Sequence, residues 1–186
     1  MRKWFIALFI LILLLGGAGV GAYLYVSPGQ ELDLAYEEVP LRDRALDMAK
    51  RLSPELVLTE EDVNNLAKSQ LASNPFYMKN VELTGVNFRL ANGRLIADAN
   101  IKAFGRVPVG MELTYDVVWN DPNLVATVTE ARIRDIKLPA DSFNEVVIPL
   151  GAELPSALKV QEVRIGEDRA TIEFKLPSPS DLRSLF

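Results

Sequence analysis

The sequence predicts an α+β protein in which an apolar N-terminal helix leads into a long antiparallel β-meander accompanied by two helices. Three observations predict it. Trp4 to Val26 holds no charged residue, the hydrophobic period changes from 3.6 to 2 at Val81, and Asn92-Gly93 is a strong hairpin turn signal between the first two alternating runs.

The apolar stretch reaches roughly 34 Å as a helix, enough to cross a hydrocarbon core of ~30 Å. Arg2 and Lys3 precede it, and Glu31, Asp33, Glu37 and Glu38 follow it. That asymmetry orients the span with its N-terminus in the cytoplasm and everything from Ser27 onward outside the membrane. Val20-Gly21-Ala22 supplies small residues at which a signal peptidase could cut, so secretion after cleavage is the alternative. Tyr23 and Tyr25 suit an interfacial aromatic belt and favour a retained single-pass anchor in the cell membrane.

Ser27-Pro28-Gly29-Gln30 ends the helix, and a polar connector runs to about Pro40. Leu41 to Leu52 reads as a short amphipathic helix with Leu41, Ala45, Met48, Ala49 and Leu52 on one face. Its mixed charge favours packing on the domain over lying on the membrane. Leu56-Val57-Leu58 is a short strand. Thr59 then caps a helix whose first turn carries Glu60, Glu61 and Asp62, where the dipole favours carboxylates. Consecutive carboxylates on a helix point apart, which favours capping over a calcium site. Val63, Leu66, Ala67, Gln70 and Leu71 form its inward stripe, and the helix stops before Asn74-Pro75.

Val81 and Leu83 alternate in one phase and Val86, Phe88 and Leu90 in the other, so a β-bulge is expected at Gly85. The return strand places Leu95, Ala97, Ala99, Ile101 and Ala103 on one face. Val107, Val109, Met111, Leu113, Tyr115, Val117 and Trp119 alternate along the clearest strand of the chain, about thirteen residues against a usual five or six. After a turn at Asn120 to Asn123, one long strand is expected from Leu124 to about Leu138, with a second phase shift near Glu130. Pro139 to Ser142 is read as opening a second helix, with Phe143, Val146, Val147 and Leu150 on its apolar side. A last hairpin pairs Val160 to Ile165 with Ala170 to Leu176, before a polar tail. The organisation is thus an anchor over 1–26, a connector with a short helix over 27–52, and an extracytoplasmic α+β domain over 53–186.

Composition removes whole classes of chemistry. The formal charge is −5, and without Arg2 and Lys3 the portion from Ser27 onward carries −7. That balance argues against a nucleic-acid partner, because such affinity comes largely from Lys and Arg on phosphates. The chain has no cysteine and no histidine, so disulfides, thiolate metal sites, Ser-His-Asp triads and His-containing zinc sites are all impossible. No cofactor is implied.

LVLTEEDVNNLA (Leu56 to Ala67), the strands from Val81 to Tyr115, the IKLPADSFNEVV segment (Ile136 to Val147) and the last hairpin, following a membrane anchor, resemble the YpmS-like family of membrane-anchored extracytoplasmic proteins. More distantly, the pattern is similar to the LmeA-type phospholipid-binding proteins of the cell envelope. The resemblance covers roughly residues 56–176 and contains no catalytic signature. It implies a tubular lipid-binding-like architecture, with a curved sheet wrapped on a helix, and a binding role rather than a reaction.

Long, bulged strands wrapped on a helix can form an elongated apolar groove, and this supplies the leading functional reading: a binding domain for phospholipid or another envelope lipid. The candidate lining is Val107, Val109, Met111, Leu113, Tyr115 and Val117, with Phe88, Leu95, Ile101 and Phe104 as neighbours. Burying an acyl chain there would contribute ~0.8 kcal/mol per CH₂. Arg132 and Arg134, placed on one strand face, and Lys137 nearby are the candidate headgroup contacts. The same apolar residues can instead fill an ordinary core, giving a structural adaptor that docks on a membrane or wall partner. Small residues at Ala97, Ala99, Ala103 and Gly110 leave room for either a ligand or a packed helix. A carboxylate-based glycosidase is disfavoured. Glu112 and Asp116, four residues apart on one strand, lie roughly 13 Å from each other, beyond the ~5–9 Å such chemistry needs.

Overall fold

The computed structural model describes residues 2–51, 53–72, 80–155 and 158–175, with residues 2–13 as backbone only. Helix α1 (Arg2–Val26) has 25 residues, about 37 Å at ~1.5 Å per residue. Among the residues described with side chains, which take in only the second half of α1, no helix is long and apolar enough to cross a membrane. The first half of the expected span lies outside them. Leu14, Leu15, Val20 and Leu24 are exposed, so this part of α1 extends away from the domain.

Helix α2 (Leu41–Lys50) buries Leu41, Ala45, Met48 and Ala49, so its apolar face packs on the domain as its charge pattern predicts. Strand β1 (Glu55–Thr59) and helix α3 (Glu60–Ala72) follow directly. Thr59 Oγ1 accepts from the Asp62 N–H at 3.1 Å, and Asp62 Oδ2 accepts from the Thr59 N–H at 2.9 Å. This reciprocal capping box fixes the start of α3. The Asn74-Pro75 stop signal lies outside the described residues.

The main sheet is a meander of β2 (Val81–Ala91), β3 (Arg94–Ala103), β4 (Val107–Asn120), β5 (Asn123–Ile133) and β6 (Ile136–Leu138), in that spatial order, with β7 (Val146–Ile148) also on β5. All its pairs are antiparallel. Asn92 and Gly93 both take positive φ, as a two-residue hairpin with the strands' own twist demands. Both expected phase shifts are register breaks. One leaves Thr84 unpaired between Leu83 and Gly85 in β2, and the other leaves Thr129 unpaired in β5, opposite Thr114 and Tyr115 of β4.

Two expectations are corrected here. The strand from Leu124 does not run on to Leu138, because the chain reverses at Arg134-Asp135 and β6 folds back on β5. The second helix expected from Pro139 is a single 3₁₀ turn (Ala140–Ser142), followed by β7 and a short α4 (Leu150–Glu153). Val146, Val147 and Ile148 are β-branched and Pro149 lacks an N–H, so the run pairs with β5 at Leu124 to Ala126 rather than coiling.

The final hairpin, β8 (Val160–Ile165) and β9 (Arg169–Phe174), leaves the meander altogether. It takes β1 as its third strand, giving a separate sheet of order β1-β9-β8. Leu56 and Leu58 stand opposite Ile172 and Ala170, and all four are buried. Together with α2 and α4 they form one core, while the inner face of the meander forms the other. Val63 of α3 and Ile165 of β8 pack against both. The expected residue Leu176 and the tail beyond it lie outside the described residues.

Candidate functional site

The inner face of the meander is the floor of an apolar groove of about 300 Å³, at the lower end of the ~300–1,000 Å³ of small-molecule sites. Alternation along each strand builds it. Val86 and Phe88 come from β2, Ala97, Ala99 and Ile101 from β3, Val109, Met111, Leu113 and Tyr115 from β4, and Val128 from β5. Leu138 of β6 continues that floor, and Leu71 at the end of α3 and Phe143 from the segment after β6 complete the lining. Ser142, Asn144 and the Tyr115 hydroxyl are the polar groups in a lining otherwise made of hydrocarbon and aromatic rings. A second recess of about 380 Å³ shares Leu71, Phe88, Tyr115 and Asn144 with the groove and extends it past Leu95 and Ala126 to β7.

Of the ten expected lining residues, Phe88, Ile101, Val109, Met111, Leu113 and Tyr115 meet in the groove. Leu95 lines the second recess, and Val117 faces a small space of about 90 Å³ at the junction of the two sheets. Two expectations are corrected. Val107, at the first position of β4, is half-buried outside the groove. Phe104 is 78% exposed; it sits at the β3–β4 turn with φ of +53°, a reversal that turns its side chain away from the sheet.

The expected cationic trio is met only in part. Arg132 is paired with Glu112 at 3.1 Å and Glu130 at 3.8 Å on the outer face. Arg134 lies in the β5–β6 turn rather than on a strand. Its guanidinium donates to the Tyr25 carbonyl and stacks 5.6 Å from the centroid of the Tyr25 ring. Lys137 stands opposite Arg132 across the β5–β6 pair, exposed. The back-folding of β6 sets Lys137 beside Arg132 and leaves Arg134 in the turn, facing Tyr25. Arg89 joins the outer-face network by bonding Asp98 at 3.0 Å and Glu112 at 3.4 Å. The hydrogen bond to Asp98, chiefly, raises its already high pKa.

Gly110 leaves no room for a ligand, because it lies against Pro28 on the outer face. The connector crosses that face over Gly110, Asn100 and Gly85: the Asn100 amide donates to the Gln30 carbonyl at 2.8 Å, and a Cβ at Gly85 would overlap the Leu32 backbone. It then rounds the β2 edge, where Asp33 O accepts from the Val86 N–H at 3.1 Å and Asp33 Oδ1 meets Lys68 Nζ of α3 at 3.3 Å.

Sequence reasoning missed Leu71, Leu138 and Phe143 as lining of the groove. Leu71 was legible as part of the α3 stripe. Phe143 was concealed by the helix expected around it. Among the described residues no group of three or more carboxylates gathers to hold a metal ion. No family model, curated protein or solved structure matches the chain.

Proposed function

We propose that this protein is a membrane-anchored extracytoplasmic binding domain for an acyl-chain ligand, such as a phospholipid of the envelope, and that it belongs with the YpmS-like proteins it resembles. The observation that carries the reading is the groove. Six of the side chains picked out by strand alternation meet in one open apolar space whose polar groups are few and neutral. That lining suits methylene chains and offers an ionic substrate nothing to bind. No catalytic step is proposed. The anchor reading is supported by α1, whose Leu14, Leu15, Val20 and Leu24 lie exposed and would each lose favourable burial in water. A bilayer supplies the apolar surroundings they lack.

Native mass spectrometry with lipid extraction on Ser27 to Phe186, exported into a bacterial envelope, tests the binding role. Co-purifying phospholipid that is lost in Met111→Gln, with the melting transition retained, supports it. A ligand-free mass that stays unchanged after incubation with envelope lipids overturns it and leaves the adaptor reading.

A further inference from the structure

We infer that the β3–β4 turn is a membrane-inserting tip that brings the adjacent end of the groove against the bilayer holding α1, an inference that rests on the anchor and lipid readings above. Four observations carry it. Phe104 presents a whole aromatic ring to solvent, 78% exposed, from a backbone with φ of +53°. Such a conformation is uncommon for a bulky side chain and clusters at functional sites. Lys102 and Arg106 flank the ring, both exposed, as cations flank an aromatic anchor at an anionic headgroup layer; the half-buried Glu82 stands opposite Lys102.

The third observation is where the turn lies. It is at the same end of the meander as the β5–β6 turn, to which α1 is fastened through Arg134 and Tyr25. The last β4–β5 pair is Glu112↔Arg132, whereas β3 and β4 stay paired down to Ala103↔Val107. The hairpin therefore overhangs β5 by five residues, roughly 16 Å at ~3.3 Å per residue, while β2 accompanies β3 to the Val81↔Ala103 pair. The fourth is what reaches this end. Val81, Ile101, Ala103, Val109 and Ile133 carry the lining of the groove to the overhang. A lipid could then pass from leaflet to groove with its chains never crossing water.

The chain has no cysteine, so single labels report cleanly. Full-length protein carrying Phe104→Cys, or Arg106→Cys as a second probe of the same turn, is labelled with an environment-sensitive fluorophore. It is reconstituted into phosphatidylcholine–phosphatidylglycerol vesicles containing nitroxide-bearing lipid. Val118→Cys, exposed at the opposite end of β4, is the reference. Blue-shifted emission and nitroxide quenching at positions 104 and 106, absent at 118, are expected. Labels at 104 and 106 as water-exposed as the one at 118, or equal quenching at both ends, overturn the tip. Depth is read whether or not the groove is filled. A dry tip with an empty groove therefore rejects only the lipid reading, and a wet tip with a filled groove rejects only this one.

Discussion

The carboxylate of Glu60 accepts a 2.7 Å hydrogen bond from the backbone N–H of Leu90, thirty residues further along the chain. It is one of three. Asn64 Oδ1 accepts from the Phe88 N–H at 3.0 Å, and the Asp33 carbonyl accepts from the Val86 N–H at 3.1 Å. Strand β2 is an edge of the meander, and these are its successive outward-facing donors. An edge left open is a template for pairing with another chain; here a helix and the connector close it.

Replacing Glu60 by Ala leaves the Leu90 N–H without its acceptor at a buried residue. The expected loss is about 1–3 kcal/mol, read as a lower urea midpoint at unchanged slope. Glu60→Gln, which keeps an acceptor oxygen, should recover most of it. An equal loss in both variants would show that charge, not edge closure, is the important property.

Asp62 links α2 to α3 through a 2.7 Å contact with Arg44. Burial acts to raise its carboxyl pKa, but the hydrogen bonds from Arg44 and from Thr59 together outweigh this and hold it below the ordinary carboxylate value. A depressed folded-state pKa contributes stability that is fully present above the unfolded value of ~3.9 and is lost as pH falls through the folded one. Asp62→Asn should therefore cost about 1.5–3 kcal/mol at neutral pH. The gap from wild type should close as pH drops below ~4. Denaturation curves across that range check the sign.

Gly85→Ala sets a methyl group against the Leu32 backbone, which cannot yield as a flexible side chain would. The connector must lift from the sheet, at an expected cost of about 1–3 kcal/mol, and residues 27–34 should become sensitive to limited proteolysis. Gly29→Ala, with nothing near its added carbon, is the control and should leave the digestion pattern unchanged.

Arg134→Lys keeps the charge and loses the planar group that both stacks on Tyr25 and reaches its carbonyl. At an exposed site the stacking contributes about 0.5–1 kcal/mol, so the domain's melting point should scarcely move. The distance distribution between spin labels introduced by Leu24→Cys and Val118→Cys should broaden. An unchanged distribution would show that the connector alone holds the helix end.

What the sequence determined by itself was local and periodic. The uncharged run, the Thr59 cap, the Asn92-Gly93 turn and both bulges were legible because each depends on a few neighbouring residues or on a break in a period of two. The groove's floor followed from the same alternation, and six of its residues could be picked without coordinates. What only the tertiary structure decided were pairings between distant segments. Nothing local in Leu56-Val57-Leu58 says that it will join β9, and nothing in Val146 to Ile148 says that β5 has a vacant stretch of edge. Apolar runs such as these can favour a strand locally, but which strand they join is decided only by where a neighbour leaves N–H and C=O groups unpaired. Arg134 was misplaced for that reason: a two-residue reversal at Arg134-Asp135 takes it off the strand to the end of α1, while the same reversal sets Lys137 opposite Arg132. Phe104 was misread because alternation stops at a turn, where the backbone dihedral decides which way a side chain faces.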